Sequence, residues 1–148
     1  MENRIYFIEE GKNRYELGEI VNNVIQYDFG KVLVYLNHKG KQLFGKHFRI
    51  YHEDHNLLFK LCTYIISDKE GCEKLGLDHQ KGLLLSGPVG CGKTSLMKLI
   101  RGIVPQKKTF KMMPCRNVVF AFNNKGFEVI EKFQEQNQYC FDDLGIEP

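Results

Sequence analysis

The chain has 148 residues, with 21 lysines and arginines against 18 acidic residues for a formal charge of +3, and five cysteines. That length suits one ordinary domain, no stretch approaches the roughly 18 apolar residues of a membrane span, and the opening "MENRIYFIEE" is too polar for a secretory signal. Odd in number and without a C-x-x-C pair, Cys62, Cys72, Cys91, Cys115 and Cys140 fit a reduced, cytoplasmic protein rather than a disulfide framework, and the charge permits nucleic acid as a partner.

Residues 1 to about 50 mix β-rich runs such as "KVLVYL" with turn signals such as "NHKGK", which predicts a hairpin or a small irregular N-terminal element. A domain boundary is expected near residue 50, separating a 1–50 element of unknown role from a 51–148 core. "HEDH", His52 to His55, offers two histidines beside Glu53 and Asp54. It is not H-e-x-x-H, and it reads better as a solvated, capped first turn than as a metal site. His38, His47 and His79 read as surface residues. From Asp54 or Asn56, the spacing of Leu57, Leu58, Leu61, Cys62, Ile65 and Ile66 predicts an amphipathic helix to about Ser67.

After "GCEKLGLDHQ", the run Leu83 to Leu85 predicts a buried parallel strand. Gly87, Pro88 and Gly90 break it, and from Lys93 the positions Leu96, Met97, Leu99 and Ile100 predict a helix stopped by Gly102. Strand, glycine loop and helix in that order give G-x-x-x-x-G-K-[ST] its mechanism. Gly87, Pro88, Val89, Gly90, Cys91 and Gly92 would curl so that backbone N–H groups face a phosphate, at the positive end of the helix. Lys93 would reach the β- and γ-phosphates, and the Thr94 hydroxyl would join the shell of a magnesium ion. Ser95, next after the motif, is counted with the nucleotide-binding residues but reads better as a cap or packing residue; Cys91 is a variable loop position with no assigned chemistry.

Downstream, Lys107, Lys108, Lys111 and Arg116 could touch a phosphate backbone, but a solvated charged face is the favoured reading. Thr109 to Met113 predicts a second strand, and Asn117 to Phe122 is ambiguous between strand and helix. Asn123 and Asn124 read as a turn, Phe127, Ile130 and Phe133 mark a further amphipathic helix, and "QYCF" starts a third strand. The alternation predicts an α/β fold with a parallel sheet. That third strand ends in Asp142 and Asp143, where Asp142 would hold magnesium, mostly through water, and Asp143 would polarise an attacking water as base.

"GPVGCGKTS" with "FDDLG" downstream resembles the AAA+ ATPases, specifically the helicase-loader and insertion-sequence transposition branch, the DnaC and IstB types. The likeness covers roughly Leu57 to Pro148 and adds "CRNVVFAFNNKGFEVIEKF". It implies a P-loop NTPase parallel sheet with flanking helices, with Asn117 to Phe122 helical and "GLD" near the adenine. It also implies ATP and magnesium as cofactors, self-assembly into an oligomer, and a helicase or transposase partner, with DNA possible and no membrane. The family's strand order, 5-1-4-3-2, puts a strand between that of the loop and that of Asp142, second neighbours about 10 Å apart at the usual spacing near 4.8 Å. That strand, the sensor residue, the arginine finger and the lid do not fit before Pro148. The resemblance therefore implies an incomplete AAA+ core, the N-terminal part of a longer protein, poorly soluble and with little activity alone. Its two flanking strands would either expose apolar edges or collapse and pull Asp142 out of register with Thr94. Other functions the sequence allows are a nucleotide-switched binding module with negligible hydrolysis and a P-loop kinase, in which the magnesium strand adjoins the loop strand.

Overall fold

Two asparagines set the geometry of the first sheet. Asn22 and Asn23 adopt φ of 50° and 62°, the pair of left-handed conformers that a tight two-residue hairpin demands. They join β2 (Asn13–Val21) to β3 (Val24–Tyr27), and β1 (Arg4–Glu10) pairs with the other edge of β2. The result is an antiparallel meander in the order β1-β2-β3, with a register shift between Tyr6 and Phe7. The computed structural model describes residues 4–105, 110–134 and 138–145.

Helix α1 (Phe29–Phe44) follows at once, and it contains both the "KVLVYL" run and the "NHKGK" run. The first is therefore not strand and the second is not a turn. Asp28 decides the matter locally: its carboxylate accepts from the Lys31 N–H at 3.1 Å, a helix N-cap. Periodicity decides it globally, because Val32, Tyr35, Leu36 and Gly40 all lie buried on one face, a helical spacing that a strand cannot bury. That face packs on β2. Tyr35 donates to Glu10 at 2.9 Å and Lys39 pairs with the same carboxylate at 2.7 Å.

A 3-10 turn (His52–Asp54) leads into α2 (His55–Ile66), which ends at Ser67 in the left-handed conformation. Asp54 makes no side-chain cap bond, so the expected cap is absent. Of the expected apolar face Leu58, Leu61 and Cys62 are buried, Ile65 and Ile66 half-buried and Leu57 exposed, and burial pushes the Cys62 thiol up to about 12. Helix α3 (Lys69–Lys74) follows, capped by Asp68.

The chain divides into two units, Met1–Leu84 and Leu85–Pro148. The division lies at Leu84 and Leu85, where the sequence placed it near residue 50, and it groups α2 and α3 with the meander. The core of the first unit includes Tyr6, Ile8, Leu17, Tyr35, Leu36 and Leu58.

The second unit holds α4 (Lys93–Ile100), a 3-10 turn (Arg101–Ile103), β4 (Lys111–Pro114), α5 (Cys115–Lys125), α6 (Glu128–Lys132) and β5 (Tyr139–Asp142). β4 and β5 form a two-stranded parallel sheet, with Met113 opposite Phe141 and Pro114 opposite Asp142. The described molecule is thus mixed α/β, with one antiparallel and one parallel sheet. The expected start of β4, Thr109, lies outside the described residues, as do Lys107 and Lys108 of the basic cluster. Asn117 to Phe122 is helical, within α5. The apolar face expected of the next helix is largely solvent-facing: Phe127 is 76% and Ile130 39% exposed, while Val129 is buried.

Leu83 to Leu85 is the clearest departure. It forms no strand and belongs to neither sheet, and Leu84 is 81% exposed. An apolar run becomes a strand only where a neighbour accepts its N–H groups and supplies its carbonyl partners. No described strand does so here.

Candidate functional site

Gly90 and Gly92 take φ of 80° and 90°, a region closed to most side chains, and Gly92 is the residue from which α4 starts. The turn they make brings the loop back upon its own lysine. Lys93 Nζ donates to the carbonyls of Gly87 at 2.9 Å and Pro88 at 2.8 Å. The cation is thus held over the loop by neutral acceptors rather than by a carboxylate. Cys91, to which the sequence gave no role, is exposed on the same turn with Sγ 3.7 Å from Lys93 Nζ. Nothing in the spacing of the motif signals that contact. Val89 at the tip is fully exposed and Ser95 half-buried.

In the first turn of α4, Thr94 faces the end of β5. Its Oγ1 donates to Asp142, lying 3.0 Å from both Oδ1 and Oδ2 and spanning 48 residues of sequence. Both side chains are half-buried. Asp142 therefore stays in register with Thr94, and the expected displacement does not occur. β5 is held by its parallel pairing with β4, and beside it Phe133 meets Tyr139 at 5.0 Å and Phe141 at 5.5 Å, with Tyr139 and Phe141 stacked two residues apart on one face of the strand. Burial, and after it the Asp142 carboxylate, raises the Cys140 thiol above its ordinary value.

Asp143 is arranged differently from its neighbour. Its φ is 59°, an uncommon conformation for a non-glycine residue, and its backbone N–H donates to Asp142 Oδ1 at 3.1 Å. Asp142 Oδ1 thus accepts from both the Thr94 hydroxyl and the Asp143 N–H. The Asp143 side chain itself is exposed and has no partner among the described residues.

The sequence-predicted residues thus fall in two sets within the second unit. Gly87, Pro88, Gly92 and Lys93 form one curled loop, and Thr94 and Asp142 form a hydroxyl–carboxylate pair beside it. The donors of that pair are hard oxygens, the kind magnesium takes when most of its shell is water and phosphate. Among the described residues no three His, Cys, Asp or Glu side chains gather as a metal cluster, and His52 and His55 stand with ring centres 5.1 Å apart. Among those residues, too, no helix is long and apolar enough to cross a membrane. Comparison with family models, with curated proteins and with solved structures finds no match to this chain.

Proposed function

We propose that the second unit binds ATP with magnesium and hydrolyses it, as an AAA+ protein of the loader type acting on a DNA-bound partner such as a helicase or transposase. The observation that carries the nucleotide reading is the Thr94–Asp142 bond at 3.0 Å, since it joins the last residue of the loop motif to the acidic strand end. The resemblance of "GPVGCGKTS" and "FDDLG" supports the family and, through it, the partner class and self-assembly. The parallel pairing of β4 with β5 is consistent with that family's order, where the second and third strands are neighbours.

In this reading the loop N–H groups from Gly87 to Gly92 and the Lys93 ammonium hold the phosphates. Thr94 Oγ1 and Asp142 hold magnesium, with water completing the shell. The ion, when bound, supplies Lewis-acid stabilisation of charge on phosphate oxygens. Lys93 starts on two backbone carbonyls, so it leaves neutral acceptors for charged ones without breaking an ion pair. Asp143 orients and deprotonates water.

A second reading, ATP-dependent assembly with negligible hydrolysis, is favoured by one observation: the exposed Asp143 carboxylate is not held by a described neighbour. The experiment that tests the proposal measures binding of a fluorescent ATP analogue with and without magnesium, and phosphate release from ATP alone. Magnesium-dependent binding with release supports the loader-type ATPase. Binding without release supports the switch, and release only after an acceptor is added supports a kinase. Equal signals from the wild type and Thr94→Ala, with magnesium irrelevant to both, would sink the nucleotide reading.

A further inference from the structure

Between Asp28 and Glu53 the sequence carries no acidic residue, yet it has Lys31, Lys39, Lys41, Lys46 and Arg49. Two of these cations are committed: Lys31 pairs with Glu16 and Lys39 with Glu10. Lys41, Lys46 and Arg49 are exposed and pair with no described carboxylate. They sit on a built surface rather than a loose loop. After α1 the chain turns at Gly45, whose N–H donates to the Lys41 carbonyl at 3.1 Å, and returns along the helix it has just left. Phe48 lies directly on Gly40, and the Ile50 N–H donates to the Asn37 side chain at 2.9 Å. Arg49 is therefore held between two anchored residues. Aromatic rings alternate with the cations: Phe44, 37% exposed with its ring centre 5.3 Å from that of Phe48 in a tilted contact, and Tyr51, 59% exposed.

We infer that Lys41, Phe44, Lys46, Arg49 and Tyr51 form a binding ledge for single-stranded nucleic acid. Unpaired cations suit a phosphate backbone, and exposed rings on a fixed backbone offer π-faces to unstacked bases. An anionic membrane is the less suitable partner, because the apolar face of α1 is already buried and is not free to enter a lipid interface. All these residues lie in the first unit, so the inference stands apart from the nucleotide reading of the second.

The test is fluorescence anisotropy of the 148-residue chain with a labelled oligothymidylate over a range of salt concentrations, with a labelled duplex and phosphatidylserine vesicles as further probes. The expected result is single-strand binding that weakens with salt. Lys41→Gln with Lys46→Gln and Arg49→Gln should lower the slope of log affinity against log salt by about 2, at roughly 0.7 per phosphate contact. Phe44→Ala with Tyr51→Ala should weaken binding roughly tenfold or more with the slope unchanged. Lys46→Gln with Arg49→Gln, both outside α1, supplies a version that leaves the helix sequence intact. Wild-type affinity and slope in the triple variant would overturn the inference, as would vesicle binding without oligonucleotide binding. Duplex bound as tightly as single strand, with the aromatic pair dispensable, would overturn it too.

Discussion

Replacing Gly40 by alanine sets two effects of opposite sign against each other. Gly40 lies inside α1, where alanine is ordinarily preferred to glycine by about 1 kcal/mol. On propensity alone the substitution stabilises. The structure argues otherwise, because a Cβ at Gly40 would stand 2.1 and 2.2 Å from two carbons of the Phe48 ring and 2.9 Å from a third. Carbon atoms rest at about 3.5–4.0 Å, so the ring must retreat by roughly 1.5 Å. The ring cannot do so freely: it lies in tilted contact with Phe44, and the backbone two residues on is tied to Asn37. Overpacking of this kind costs about 1–3 kcal/mol, and a three-atom clash belongs to the upper part of that range. The net expectation is destabilisation by about 1–2 kcal/mol. Chemical denaturation followed by circular dichroism should show a lower midpoint without a change of slope. In the Phe48→Ala background the obstacle is gone, so the same Gly40→Ala change should stabilise by about 1 kcal/mol. That inversion of sign is the specific signature. A stabilised single variant, or the same effect in both backgrounds, would refute the packing argument and with it the anchored return of the 45–51 segment.

Lys93→Ala should weaken binding of a fluorescent ATP analogue by roughly tenfold to a hundredfold, the worth of a hydrogen bond to a charged group; wild-type affinity would remove the lysine from the site. Asp143→Asn should keep ATP bound while slowing phosphate release by about 10²-fold or more, whereas Asp142→Asn should also weaken magnesium-dependent binding. Equal loss of binding in both variants, with turnover in proportion, would show the assigned roles to be wrong. Glu10 makes a pH prediction. Burial opposes its ionisation and is the largest influence, but the bonds from Lys39 and Tyr35 outweigh it, and the carboxyl lies below its ordinary 4.5. A lowered carboxylate contributes stability that is complete above that ordinary value and is lost as pH falls through the folded one. The acid limb of an unfolding titration should therefore be shallower in Glu10→Gln than in the wild type; superimposable acid limbs would mean that the ion pair contributes nothing.

The candidate site was legible where its chemistry is local. A backbone cradle for phosphate needs glycines and a lysine at fixed offsets along one short segment, so Gly92, Lys93 and Thr94 could be named with no knowledge of their surroundings. Asp142 is a harder case, since its place depends on β5 meeting α4 across 48 residues. The sequence points to it only in combination: magnesium on a nucleotide needs an acidic partner at the end of a neighbouring strand, and "FDD" follows the phosphate loop in the same chain. The Lys93–Cys91 contact and an Asp143 carboxylate with no partner among the described residues depend on side-chain directions that no spacing encodes.

The errors have a common physical origin, which is weighing composition above period. "KVLVYL" is rich in β-branched and aromatic residues, but Val32, Tyr35, Leu36 and Gly40 recur at helical spacing and Asp28 stands where a cap belongs. Burial rewards the spacing; strand propensity is worth only about 1 kcal/mol across its whole scale and changes with context. "VNNV" carried the hairpin signal of the β2–β3 turn, because asparagine tolerates the left-handed conformation twice in succession. Leu83 to Leu85 shows the reverse limit. Its three leucines hold all the local features of a buried strand, yet strand formation is a property of pairs, and β4 and β5 satisfy each other through Lys111–Tyr139 to Pro114–Asp142 without it. A sequence can state which segments are able to enter a sheet. Which of them do so is decided by the edge that each one finds.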